Sequence, residues 1–167
     1  MMALLYIICI IVANILAARW IIPLPFRLAV PAGVFAIAPV FSLRDGIHEK
    51  WGRRGAYVMI GVAMLISWGL SVLTGDRLLS RVTLASVFAF AMNEALDTEI
   101  YHKLRSHSKL LAVLGSNAVS SLVDSVLFIW VAFGPLWNLM IGQYIIKMIL
   151  AAGVGVWMTK QSDSMLE

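Results

Sequence analysis

The sequence predicts an all-α polytopic membrane protein, a bundle of six transmembrane helices. Three observations lead there. The chain is 61% hydrophobic and only 13% charged, with a mean hydropathy of +0.90, more apolar sequence than a soluble domain of 167 residues can bury. Six apolar runs can be drawn along it, each near the roughly 20 residues needed to cross the hydrocarbon. Lys and Arg gather in short clusters between the runs, so a pI near 9.5 points to charged loops at a membrane surface and not to a nucleic-acid partner.

Taken in order, the first run (3–18) holds the single cysteine, Cys9, which excludes an intrachain disulfide. No Lys or Arg precedes it, so it reads as a span and not as a cleaved signal peptide. Asn14 lies there beside Ala17 and Ala18, a small-residue face suited to close helix packing. The second run (28–43) is short, with Pro31 and Pro39 set to start or kink it. A basic loop (44–54) follows, then a third run (56–73) without charge that reads as scaffold. The fourth run is 82–104. The fifth (110–133) and sixth (136–157) are separated only by Gly134-Pro135, a tight turn. With no repeat or linker, one domain is expected over 1–160, with 161–167 as a short cytoplasmic tail.

Loop charges set the orientation. If both termini lie on one side, that side holds Arg44, Lys50, Arg53, Arg54, Lys103, Arg105, Lys109 and Lys160, against Arg19, Arg27, Arg77 and Arg81 opposite. The richer side belongs in the cytoplasm. Trp20, Trp51, Trp137 and Trp157 fall near run ends, where amphipathic rings prefer to sit.

The functional signal is ionisable residues within apolar runs. Phe90, Glu94, Asp97 and Tyr101 share one face of the fourth run at 100° per residue, with Asn93 beside Asp97. The fifth carries Asn117, Ser120, Ser121, Asp124 and Phe128 on one stripe, and the sixth carries Gln143 and Lys147 one turn apart. A charge at the bilayer centre costs about 2.5–3.5 kcal/mol on insertion scales, so these groups should face a bundle interior. Buried Asn and Ser often serve only as packing glue, and one Asp–Lys pair can be structural. Here Glu94, Asp97 and Asp124 outnumber Lys147, so the remaining carboxylates need a ligand, a cation or a proton. Carboxylates can engage an amide–amine edge, Asn117, Gln143 or Lys147 can donate to a ring carbonyl, and Phe90, Tyr101 and Phe128 can stack on a flat ring. Nucleobases, other polar heterocycles and organic cations all satisfy that chemistry.

The residues also resemble a known family. Pro31-Ala32-Gly33-Val34-Phe35, then Phe41, Asp45, Glu49, Gly52 and Ala56, are similar to the second-helix and loop signature of the VUT family of queuosine-precursor transporters. The likeness continues through Glu94-Ala95-Leu96-Asp97-Thr98-Glu99-Ile100-Tyr101, Ser116-Asn117, Asp124-Ser125 and Lys147, with Asn14-Ile15-Leu16-Ala17 as the opening Asn motif. It implies a six-helix inner-membrane importer of 7-cyano-7-deazaguanine or a related 7-deazaguanine, with Asp45, Glu94, Asp97, Asn117, Asp124 and Lys147 in the working set. The partners it implies are that small molecule and the lipid bilayer, with no nucleic acid, no cofactor and no metal; a homo-oligomer is left open. Where the family's proline is expected near the end of the sixth run, this chain has Gly155-Val156-Trp157.

Asn14, Asp45 and Glu49 are expected in gating or structural roles, Asp45 by pairing with Lys103 or Arg105 at the cytoplasmic mouth. Two other classes compete. One is a substrate-binding subunit for a vitamin or nucleobase that needs an energising partner, as vitamin-uptake S components do. The other is an intramembrane metal-dependent enzyme, with Glu94, Asp97 and Asp124 as oxygen ligands. Against catalysis, His48, His102 and His107 all lie in or beside charged loops, and no catalytic residue is expected.

Overall fold

The computed structural model describes residues 2–104, 106 and 109–163, excluding the side chains of most of 37–56, of 94, 97, 98, 101, 109–114, 151 and 153–163. The architecture is all-α, with one small hairpin. Helix α1 spans Met2–Arg19, α2 Ile37–Thr74, α3 Arg77–Leu104, α4 Lys109–Phe133 and α5 Trp137–Asp163. Among the described residues, Met2–Arg19, Tyr57–Thr74 and Gly115–Phe133 are long and apolar enough to cross a membrane.

The expected second span, 28–43, is not a helix from its start. Strands β1 (Ile21–Pro23) and β2 (Ala29–Pro31) pair antiparallel, a 3₁₀ turn at Pro25–Arg27 makes the tip, and a second at Ala32–Ala36 leads into α2. Proline explains the correction. Pro23, Pro25 and Pro31 each remove a helical donor and drive the preceding residue to extended backbone. The tip is strained, with Phe26 at φ 61° and Arg27 at φ 59°. Pro39 is tolerated because it sits in the first turn of α2, where the N–H has no intrahelical partner.

Helix α2 is one run of helical backbone, yet it cannot be straight. Gly33 abuts Ala13 and Ala17 of α1, and Ser67 accepts from Asn14, within the same two turns. A straight helix from 37 to 67 would separate those points by about 45 Å, while 33 to 37 reaches at most about 14 Å. The helix therefore folds back. Gly55 marks the bend: a Cβ there would lie 2.4 Å from the Trp51 Cβ, against about 5–6 Å for neighbours one turn apart on a regular helix. The loop expected at 44–54 is thus helical, but the reversal it implied is present.

The turns explain how the remaining helices register. Gly75 (φ 66°) ends α2 in a Schellman motif, with Asp76 N–H donating to the Ser71 carbonyl at 2.9 Å and Gly75 N–H to that of Val72 at 3.2 Å. Asp76 then caps α3, its Oδ1 accepting from the backbone N–H of Leu78 and Leu79 at 3.1 and 3.0 Å, while its Oδ2 pairs with Arg19 at 2.7 Å. Arg81 donates to the Val131 carbonyl at 3.3 Å, and Gly134 (φ 98°) opens the turn into α5. The end of α1, the α2–α3 turn and the α4–α5 turn therefore share one end of the bundle. The start of α1 and the end of α5 share the other.

Candidate functional site

The helices and the foot of the hairpin enclose a cavity of about 130 Å³. From α3 come Ser86, Ala89, Phe90 and Asn93, spaced 3, 4 and 7 along one stripe; from α4 come Ser121, Asp124 and Phe128; from α5 come Gln143 and Lys147. Helix α1 gives Asn14 and its small neighbours, and Pro31, Gly33 and Val34 close the wall between α1 and α5. That last wall depends on glycine. A Cβ at Gly33 would meet the Ala13 carbonyl at 2.3 Å, and one at Gly142 the Ala29 carbonyl at 2.1 Å, so only glycine lets the hairpin foot seat against both helices.

Two polar groups in the wall are internally satisfied. Lys147 Nζ forms an ion pair with Asp124 Oδ2, joining α5 to α4. Their side chains are only 9% and 15% exposed, so each charge relies on the other. Asn14, buried, accepts from Ser86 Oγ at 2.7 Å and donates toward Ser67 Oγ at 3.3 Å and Met64 Sδ at 3.8 Å. It ties α1, α2 and α3 together where they meet the cavity.

Gln143, Asn93 and Ser121 differ. Each lines the cavity, and none hydrogen-bonds another described residue. Gln143 is 3% exposed, as hidden from solvent as Asn14. Phe90 and Phe128 add aromatic walls, and Phe128 is steadied by an edge-on contact with Phe133, centroids 6.3 Å apart. The volume is close to the roughly 150 Å³ of a cavity that holds benzene, and well under the roughly 300–1,000 Å³ of drug-sized sites. Such a space holds one flat ring, and a larger fused ring by extending through the cavity's open side.

A family model described as "Putative vitamin uptake transporter" matches residues 31–160, well over half of the chain. The chain belongs to that family. The match begins at Pro31, where the transporter's hairpin enters the cavity wall, and runs through every lining residue of α3, α4 and α5. No curated protein and no solved structure matches the chain.

The structure brings together Phe90, Asp124, Phe128, Gln143 and Lys147 from the expected binding set. Asn14, expected in a gating or structural role, stands in the same wall. Asn117 does not join them. It shares the helical stripe of Asp124 but lies two turns, about 10 Å, nearer the start of α4, and is exposed. A stripe fixes the angle around a helix and says nothing of depth. Glu94, Asp97 and Tyr101 continue the cavity-lining stripe along the α3 backbone, but their side chains lie outside the described residues, as do those of Asp45 and Glu49 and residue Arg105. Lys103, one expected partner of Asp45, is exposed. Asp124 is compensated by Lys147, which weakens its case as a metal ligand.

Ser86 and the Gly33 wall were missed by sequence reasoning. Gly33 had a signal: a glycine in a proline-rich stretch, with Ala13 and Ala17 one turn apart in α1, is the small-residue pattern of close backbone approach. The pairing of Ser86 with Asn14 crosses 72 positions and had none.

Proposed function

We propose that this transporter imports a queuosine precursor, 7-cyano-7-deazaguanine or a related 7-deazaguanine, across the inner membrane, with both termini in the cytoplasm. One observation carries the reading: a partly open cavity inside a helix bundle, whose wall offers amides, an ion pair and two phenylalanine rings. A fused heterocycle with an amide edge matches those amides by hydrogen bonding and those rings by stacking. Asp97 extends the α3 stripe and is assigned to the ring's donor edge together with Glu94. One of the carboxylates carries a coupling proton in this scheme; import indifferent to an imposed pH gradient removes that step.

The test is uptake of labelled precursor by a strain that cannot synthesise it, comparing wild type with Asp97→Asn and Lys147→Met at matched expression. Import that survives both substitutions sinks the reading. A second reading, a substrate-capturing subunit for a vitamin or nucleobase that depends on an energising partner, shares with the family's description only vitamin uptake. Restored precursor-dependent tRNA modification in a strain lacking candidate ATPase partners decides for the autonomous transporter.

A further inference from the structure

Among the cavity-lining carboxamides and charged side chains described, Gln143 is the one that is almost fully removed from bulk solvent and makes no hydrogen bond to any described residue. Asn14 is as buried but has three partners. Asp124 and Lys147 hold each other. Ser86 is committed to Asn14 and the Val82 carbonyl, while Asn93 and Ser121 are only partly buried. A primary amide that lines a cavity and has no protein partner is free to hydrogen-bond whatever enters it.

Its position is also fixed. The neighbouring Gly142 is pressed against the Ala29 carbonyl, so the α5 backbone cannot slide past the hairpin there without a collision. Gln143 is thereby held in the wall while its amide remains available. A primary amide offers an acceptor and two donors in one plane. Its best partner is a ring edge with a donor beside an acceptor, met by two parallel hydrogen bonds.

We infer that Gln143 is the specificity-determining residue that reads such an edge, the adjacent N–H and C=O of a lactam, on the transported ring. The inference rests on the transport reading above and adds the chemical class that the cavity selects. Ligands that keep the ring shape but lack the carbonyl oxygen lose the acceptor. The adjacent ring nitrogen, no longer part of a lactam, turns from donor to acceptor, so both paired contacts are lost and the amide is left unmatched. A site built on buried hydrogen bonds discriminates strongly against such analogues.

The experiment measures binding to purified, full-length protein in lipid nanodiscs, using 7-cyano-7-deazaguanine and its analogue lacking the ring carbonyl oxygen. The analogue is smaller, so sterics do not exclude it. Wild type should bind the parent at least about tenfold more tightly, the equivalent of one good hydrogen bond. Gln143→Met, nearly isosteric, should weaken the parent by at least about tenfold and bring the two ligands within about threefold of each other. Its ligand-free melting temperature should stay close to that of wild type, because the substitution removes no hydrogen bond to a described residue.

A Gln143→Met protein that keeps the full preference for the carbonyl overturns the inference and leaves the transport reading standing. A variant that melts much lower, or does not fold, shows that Gln143 is a structural residue and overturns it too. Wild type that binds neither ligand defeats the transport reading itself, and this inference with it.

Discussion

The α1 and α5 walls of the cavity each present one buried amide, and the two amides are used in opposite ways. Asn14 is 4% exposed and fully engaged, accepting from Ser86 and donating to Ser67 and Met64 across three helices. Gln143 is 3% exposed and engages no described side chain. Equal burial with unequal pairing separates a residue that ties the bundle together from one whose amide is open to the cavity. Polar residues in membrane helices serve both purposes, and only the list of neighbours distinguishes them.

Substitutions that disturb the two walls should diverge in what they damage. The largest effect is expected at the α5 wall. Lys147→Met leaves the Asp124 carboxylate buried without its counter-charge, and breaking such a pair costs about 3–5 kcal/mol. Unfolding of the purified protein in detergent would register it, and Lys147→Met combined with Asp124→Asn should recover much of the loss. Absence of recovery would mean that Lys147 supports more than its partner.

Gly142→Ala probes the same wall through the hairpin. The new Cβ would sit 2.1 Å from a backbone oxygen, which must move, and overpacking of this kind costs about 1–3 kcal/mol. Binding should fall together with stability, since displacing the hairpin moves Pro31 and Gly33. At the α1 wall, Asn14→Leu removes the partner of Ser67 and leaves Ser86 only the Val82 carbonyl, which should cost about 1–3 kcal/mol, while affinity per folded molecule stays near wild type. That split between stability and affinity is the reverse of the one expected at Gln143. If Asn14→Leu abolishes binding by a well-folded protein, the contrast between the walls fails. The smallest effect belongs to Asp76→Ala, which removes the α3 cap and an ion pair to half-exposed Arg19, about 1 kcal/mol by thermal unfolding.

Much of this was legible in the sequence. The runs at 3–18, 82–104, 110–133 and 136–157 anticipate α1, α3, α4 and α5, because long stretches of Leu, Ile, Val and Ala report directly on what a lipid-facing helix requires. Hydropathy failed at the start of 28–43, where Pro31, with Pro23 and Pro25 just upstream, acts on the backbone and leaves the apolar average untouched. In the site, Phe90, Asp124, Phe128, Gln143 and Lys147 were found because period and polarity agree on one face. Asn117 passed the same test and still lies outside the cavity, since its depth along α4 depends on how far the other helices reach. The Lys147–Asp124 pairing was foreseeable from charge alone. The hydrogen bonds of Asn14 were not, because serines at 67 and 86 look like any others.

The fold-back of α2 carries a last consequence. The chain departs α1 at Gly33 and returns to it at Ser67, within two turns of the same helix. The intervening arms form a detour with a common point of exit and re-entry; its returning arm reaches the cavity through Ile60 and Met64, while the bend at Gly55 lies beyond it. Closing a longer detour adds only about 0.6 kcal/mol per doubling. Residues inserted at the bend would therefore cost little, while the returning arm keeps the length that a membrane span and the cavity wall require.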